Sequence, residues 1–261
     1  MMQNIPVWEV ILEVYGSITV EKTLRFSQLK GFRLNDKFYS DIEIKRSQTI
    51  SGVEATITAF APNEELAREA AIFFFGQMLD TLAIQIDQAL YLNFNDYRII
   101  TNFGHKTLRR VKKEEWQNAF QEARLLSSHT TTITYLRALG WYRKGLYTED
   151  PFDKFLAFWN SIEIVASKYH PPIPEGRSKQ TKSQIWESFK ALWGDCDYWP
   201  IIKGQNTWID DNYDIRKTIA HGTQPIDINT VKEVSQKLDI IRQVSFKFLL
   251  EWREKRLNLL E

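Results

Sequence analysis

Hydrophobic and polar residues alternate along the first part of the chain. In Val7-Trp8-Glu9-Val10-Ile11-Leu12-Glu13-Val14-Tyr15, around Ile42-Glu43-Ile44-Lys45, and from Val53 to Phe60 the repeat is close to two residues. That is the period of a strand with one face buried. The third run ends at Ala61-Pro62-Asn63-Glu64-Glu65, where a proline, a capping Asn and two early acids predict a helix reaching about Asp87. Strands followed by one long apolar helix predict an α+β domain, the helix covering one sheet face. The first hundred residues hold no glycine-rich phosphate loop, no metal-ligand spacing and no histidine. They read as a scaffold or specificity domain, whose Lys and Arg residues are free to form a binding surface that the sequence does not locate.

Between Asn93 and Lys113 the apolar period lapses into Asn93, Asn95, Asn102, Gly104 and the basic group Lys106, Arg109, Arg110, Lys112, Lys113. This predicts a boundary, with an α+β domain over residues 1–110 and an all-α domain over residues 111–261. Helices are expected from Glu114 to Leu126 and from Thr130 to Leu146, the second carrying Ile133, Leu136, Leu139 and Tyr142 at helical spacing, with Gly145 as its stop. Glu149-Asp150-Pro151 opens a third helix, with Phe152, Phe155, Leu156, Trp159, Ile162 and Val165 as core stripe and Asn160 and Glu163 beside it. The prolines of His170 to Gly176 force a loop, which continues through the basic Arg177, Lys179 and Lys182. A helix from Ser183 to Trp193 follows, then an aromatic loop around Tyr198 and Trp199 expected to pack rather than to stack on bases. The last helix, Ile228 to Leu260, presents Val231, Val234, Leu238, Ile241, Val244, Phe248 and Leu249 along one face, a surface suited to a homodimer.

Composition narrows the classes of function. A length of 261 residues with 43% hydrophobic content supports two cores. With 34 basic against 33 acidic side chains the net charge is +1, so no global field draws the chain to nucleic acid or an anionic membrane, and any RNA contact must be local. One cysteine, Cys196, excludes an intrachain disulfide, and the first residues lack a secretory pattern, which makes a reducing cytoplasm the expected compartment. The most apolar stretch, Ala70 to Ile86, is short for a bilayer and interrupted by Gln77, Asp80 and Gln85, so it is expected to be a buried helix and not a membrane span. His105 and His170 have no Cys or acidic neighbours at ligand spacing, so neither a metal nor another cofactor is expected. No local motif supports Ser-His-Asp chemistry.

The most informative segment is Tyr213-Asp214-Ile215-Arg216-Lys217-Thr218-Ile219-Ala220-His221-Gly222. Gly222 is placed to end a helix, which puts His221 in its last turn. Five residues along an ideal helix turn through about 140°, so Arg216 and His221 do not share a face. Two copies across a two-fold axis would bring both pairs into one cleft, an arrangement suited to a phosphodiester held from two sides. The plain alternative is an arginine salt-bridged to Asp210, Asp211 or Asp214 and a helix-capping histidine. Arg124 and His129 repeat the bare spacing, but Leu125 follows that arginine and no glycine follows that histidine.

Arg-x4-His followed by glycine resembles the signature of HEPN domains, particularly the prokaryotic group related to the anti-phage ApeA proteins. Leu136-Arg137-Ala138-Leu139-Gly140-Trp141-Tyr142-Arg143-Lys144-Gly145, Asp150-Pro151 and Phe155 to Glu163 are similar to the helices preceding the signature in that group, and to methylamine-utilization proteins of the MauJ type. The likeness covers roughly residues 113–261. It implies a HEPN-like helical bundle and metal-independent RNA cleavage, in which the ribose 2′-hydroxyl attacks the adjacent phosphate and leaves a cyclic phosphate end. Arg216 would neutralise the phosphate and His221 would move the proton. Lys217, Asn160 and Glu163 would contact or orient the substrate. Lys217 stands where active members often carry Asn, Asp or His, and it suits either phosphate binding or a domain that binds RNA, nucleotide or a protein without cutting. The implied setting is defence or a toxin-antitoxin pair, with an antitoxin or regulator as a further partner.

Overall fold

The structure, a computed structural model, describes residues 6–31, 37–93, 107–176, 178–221 and 228–257, with the backbone alone at 28–31, 37–40 and 221. The chain divides into two compact units, Met1–Arg124 and Leu125–Glu261. The first holds an antiparallel sheet with helices and the second is helical.

In the first unit the strands are β1 (Val7–Tyr15), β2 (Ile18–Thr19), β3 (Leu24–Gly31), β4 (Lys37–Arg46), β5 (Gly52–Phe60), β6 (Tyr91–Asn93) and β7 (Arg109–Arg110). Five of them form a sheet in the order β3-β4-β5-β1-β6, and β2 pairs with β7 in parallel. Register puts Leu12 opposite Ala55, Val14 opposite Val53, and Ile42 and Ile44 opposite Ile57 and Ala55. These side chains are all buried, so the period-two pattern lines up one dry face across three strands. Helix α1 (Glu64–Ile86) packs on β1 and β5. Asn63 caps it, its side-chain oxygen accepting from the Leu66 amide at 2.8 Å, and Asp87 ends it in the left-handed region with φ 47°. At 23 residues α1 is longer than the apolar stretch alone suggested and reaches the length and hydropathy of a membrane span. Ala67, Ala70, Phe75, Met78, Leu79 and Leu82 are nonetheless buried within the first unit.

Helix α2 (Lys113–Ser128) explains why the division falls inside that helix, later than the expected 110/111. Phe120 stacks at 5.2 Å from Phe26 of β3 and 6.4 Å from Phe75 of α1. The Thr81 hydroxyl donates to the Ala119 carbonyl at 2.8 Å, and the Gln85 amide donates to Glu122 at 2.7 Å. Most of α2 thus completes the core of the first unit. Strands β2, β6 and β7 are too short to show an alternation, whereas β3 does alternate over Leu24-Arg25-Phe26-Ser27 although no strand was expected there.

The second unit contains α3 (Ile133–Tyr147), α4 (Pro151–Tyr169), α5 (Thr181–Trp193), a 3-10 turn at Cys196–Tyr198, α6 (Trp208–His221) and α7 (Ile228–Arg256). Asp150 caps α4, accepting from the amides of Phe152 and Asp153 at 2.9 Å, and Pro151 occupies the first helical position. Helix α4 packs against α3, α5, α6 and α7. Its buried positions extend beyond the expected stripe: Phe155, Trp159, Ile162 and Val165 are joined by Ala157, Phe158, Ser161 and Ala166, because four helices cover it. A buried bond between the Ser161 and Ser245 hydroxyls at 2.5 Å links α4 to α7. In the aromatic loop Trp199 is buried against Trp186 and Phe189, as expected, whereas Tyr198 is exposed.

Gly145 does not stop α3. It lies inside the helix, and a Cβ placed there would meet the Phe158 ring at 2.6 Å. The missing side chain lets α3 and α4 approach closely. Gly76 in α1 has no atom nearer than 4.0 Å to such a Cβ. Gly145→Ala is therefore expected to destabilise the protein by about 1–3 kcal/mol, and Gly76→Ala to stabilise it by roughly 0.5–1 kcal/mol. Urea unfolding of both variants checks this, and a Gly145→Ala midpoint equal to that of the wild type would contradict the close packing.

Candidate functional site

The site grows out of one core residue. Trp159 is fully buried in α4, and its ring packs 6.1 Å from Trp208 and edge-on at 6.4 Å from Tyr213, both on α6. Burying that ring brings the indole N–H with it, and the N–H needs an acceptor. It donates at 2.7 Å to the Glu163 Oε2, one helical turn further along the same helix. Glu163 is in turn largely buried, with 18% of its side chain exposed. A carboxylate so placed requires a cation, and Arg216 of α6 supplies it. The guanidinium Nη2 lies 3.4 Å from Oε1, and Nε lies 3.3 Å from Oε2, the latter outside hydrogen-bonding alignment. Arg216 itself is 26% exposed.

Arg216 therefore pairs across helices and not with the acids of its own helix. Asp210 and Asp214 lie six and two residues before it, on turns that point to other sides of α6. Both are held instead by Lys182 of α5, whose ammonium sits 2.8 Å from Asp210, 3.6 Å from Asp214 and 5.2 Å above the Tyr213 ring. The Asp210 hydrogen bond outweighs burial and raises the Lys182 ammonium above its usual range. Asp211 accepts from the Thr207 hydroxyl at 3.0 Å. Lys182 is thus tied into the fold, while Lys179 is exposed and Arg177 lies outside the described residues.

No family model, curated protein or solved structure matches the chain.

Of the expected residues, the structure joins Glu163 to Arg216 and places Lys217, the next residue of α6, exposed. Asn160 is half-buried in α4 and makes no hydrogen bond to Arg216. His221 is the last residue of α6, its side chain outside the described residues, as is Gly222. Sequence reasoning counted Trp159 only as core. The signal that would have revealed its second role is the four-residue step from Trp159 to Glu163, which places an indole N–H beneath a carboxylate.

A chain of indole, carboxylate and guanidinium can do two things chemically. It fixes the direction of an arginine fork without quenching all its donors, since Arg carries five N–H groups. It also makes the arginine and the carboxylate mutually dependent. Glu163→Ala would strand both the buried indole and Arg216, at an expected cost of about 2–4 kcal/mol. In a double-mutant cycle with Arg216→Ala the coupling should be about 1–3 kcal/mol. Coupling near zero in urea unfolding would show that the pair carries no stability.

Proposed function

We propose that the helical unit is a metal-independent endoribonuclease of the HEPN type that works as a homodimer. The observation carrying this reading is the Glu163-anchored guanidinium of Arg216 on α6, the helix whose last residue is His221. An arginine bonded to a carboxylate through one amino group keeps further N–H donors, the kind of group a phosphodiester oxygen accepts from. The reaction follows from these groups. The ribose 2′-oxygen attacks the adjacent phosphorus as its proton is removed, the bond to the 5′-oxygen breaks, and that oxygen takes up a proton. A cyclic phosphate remains on one fragment and a hydroxyl on the other. One imidazole removes and another supplies the proton, so two His221 side chains, one per protomer, divide the roles. Lys217 adds an exposed cation for the flanking strand. A metal has no part in this scheme.

A second reading is favoured by the same ion pair. The Arg216 charge is already matched by Glu163, and lysine follows it in sequence, which suits a module that holds RNA, a nucleotide or a protein partner without cutting.

Incubating the purified protein with mixed RNAs in chelator separates the two. Cleavage should yield cyclic phosphate ends, and Arg216→Ala and His221→Ala should each slow it by roughly 10²- to 10⁴-fold. Absence of products together with retained RNA binding by the wild type would replace the nuclease with the binding module.

A further inference from the structure

Beside the sheet of the first unit lies a cleft of about 570 Å³. One wall is the polar face of α2, where Gln117, Gln121 and Arg124 recur at the spacing of one helix face with Asn118 beside them. The opposite face of α2 is locked into the core by Trp116, Ala119, Phe120 and Ala123, so this row of side chains cannot rotate away. The other wall is the start of β3, the outermost strand of the sheet, which contributes Arg25 and Ser27. Phe26 between them, its ring turned to the other face of the strand and packed on Phe120, also borders the cleft.

The chemistry of this lining is uneven. Among the described residues it contains two guanidinium groups, three carboxamides and a hydroxyl, and no carboxylate. Glu43 and Asp41 sit on β4, engaging the Arg25 Nε at 2.9 Å and the Ser27 hydroxyl from the neighbouring strand. The two amino groups of Arg25 stay available to a ligand. Carboxamides present donor and acceptor together, the pattern that matches the edge of a nucleobase, and guanidinium groups match phosphate oxygens. The cleft volume lies in the range of small-molecule sites.

We infer that the cleft between β3 and α2 binds a nucleotide, with Gln117, Asn118 and Gln121 reading the base and Arg25 and Arg124 holding the phosphate. The inference is independent of the ribonuclease reading, since no residue of it belongs to α4 or α6. The nucleotide can be free or can be the phosphorylated end of an RNA strand, because both present the same base and phosphate.

Calorimetric titration of the full chain with the four nucleoside monophosphates, with inorganic phosphate and with a short 5′-phosphorylated RNA tests it. Expected is binding of at least one nucleotide or of the RNA end, weakened tenfold or more by Arg124→Glu and severalfold by Gln121→Leu. Tighter binding of the RNA than of free nucleotides would assign the site to strand ends. No binding at millimolar ligand, binding of phosphate as tight as that of any nucleotide, or loss in Arg216→Ala but not in Arg124→Glu would each overturn the inference. Circular dichroism of the variants checks folding, which substitutions at these exposed positions should leave intact.

Discussion

Burying an ionised carboxylate between helices is costly unless every oxygen finds a partner, and Glu163 is where the second unit meets that constraint. Its two oxygens are served by the Trp159 indole from below and the Arg216 guanidinium from across the α4–α6 contact. The indole is there because the ring fills the space between Trp208 and Tyr213, and the arginine is there because the carboxylate holds it. Core packing, helix pairing and the orientation of the candidate phosphate ligand are thus one arrangement. In water such a pair would contribute little. Here partial burial makes each partner expensive to lose.

The surroundings keep competing charges out of that arrangement. Three acids on α6 precede Arg216, at positions six, five and two residues before it, none at the three- or four-residue step that would face it. Two are occupied by Lys182, whose raised proton affinity comes from Asp210, and the third is turned to Thr207. With the acidic face of α6 balanced from α5, the arginine face is left to α4 alone. Two separate electrostatic pairings on one short helix therefore give it an acidic side held from α5 and an arginine side held from α4.

Much of this fold was legible in the sequence where local chemistry decides it. The alternation in β1, β4 and β5, the Asn63 cap of α1 and the Asp150-Pro151 opening of α4 are written within a few residues each, and they appear where the pattern puts them. Strand β6, three residues long, is too short for any period to show, and the alternation of β3 is confined to the four residues Leu24 to Ser27. Gly145 was misread as a stop since a glycine near a helix end has two meanings, and only the position of the Phe158 ring distinguishes them. The domain boundary slid into α2 for a similar reason: Phe120 looks like any helical core residue until Phe26 and Phe75 are found against it. At the candidate site, Arg216 and Glu163 were both visible as residue types, but their partnership spans two helices and no spacing rule reaches across them.

The shared use of Trp159 has a bearing on how such a chain can change over generations. In most proteins the interior drifts by volume-preserving exchanges while the reactive surface is held fixed, so the two histories are separable. Here an exchange of Trp159 for another large apolar residue could fill the space yet leave Glu163 short of a donor and Arg216 free to swing. Substitutions in the interior of this unit are therefore bound to those on its surface, and an ancestor or a redesigned variant would have to alter Trp159, Glu163 and Arg216 together or not at all.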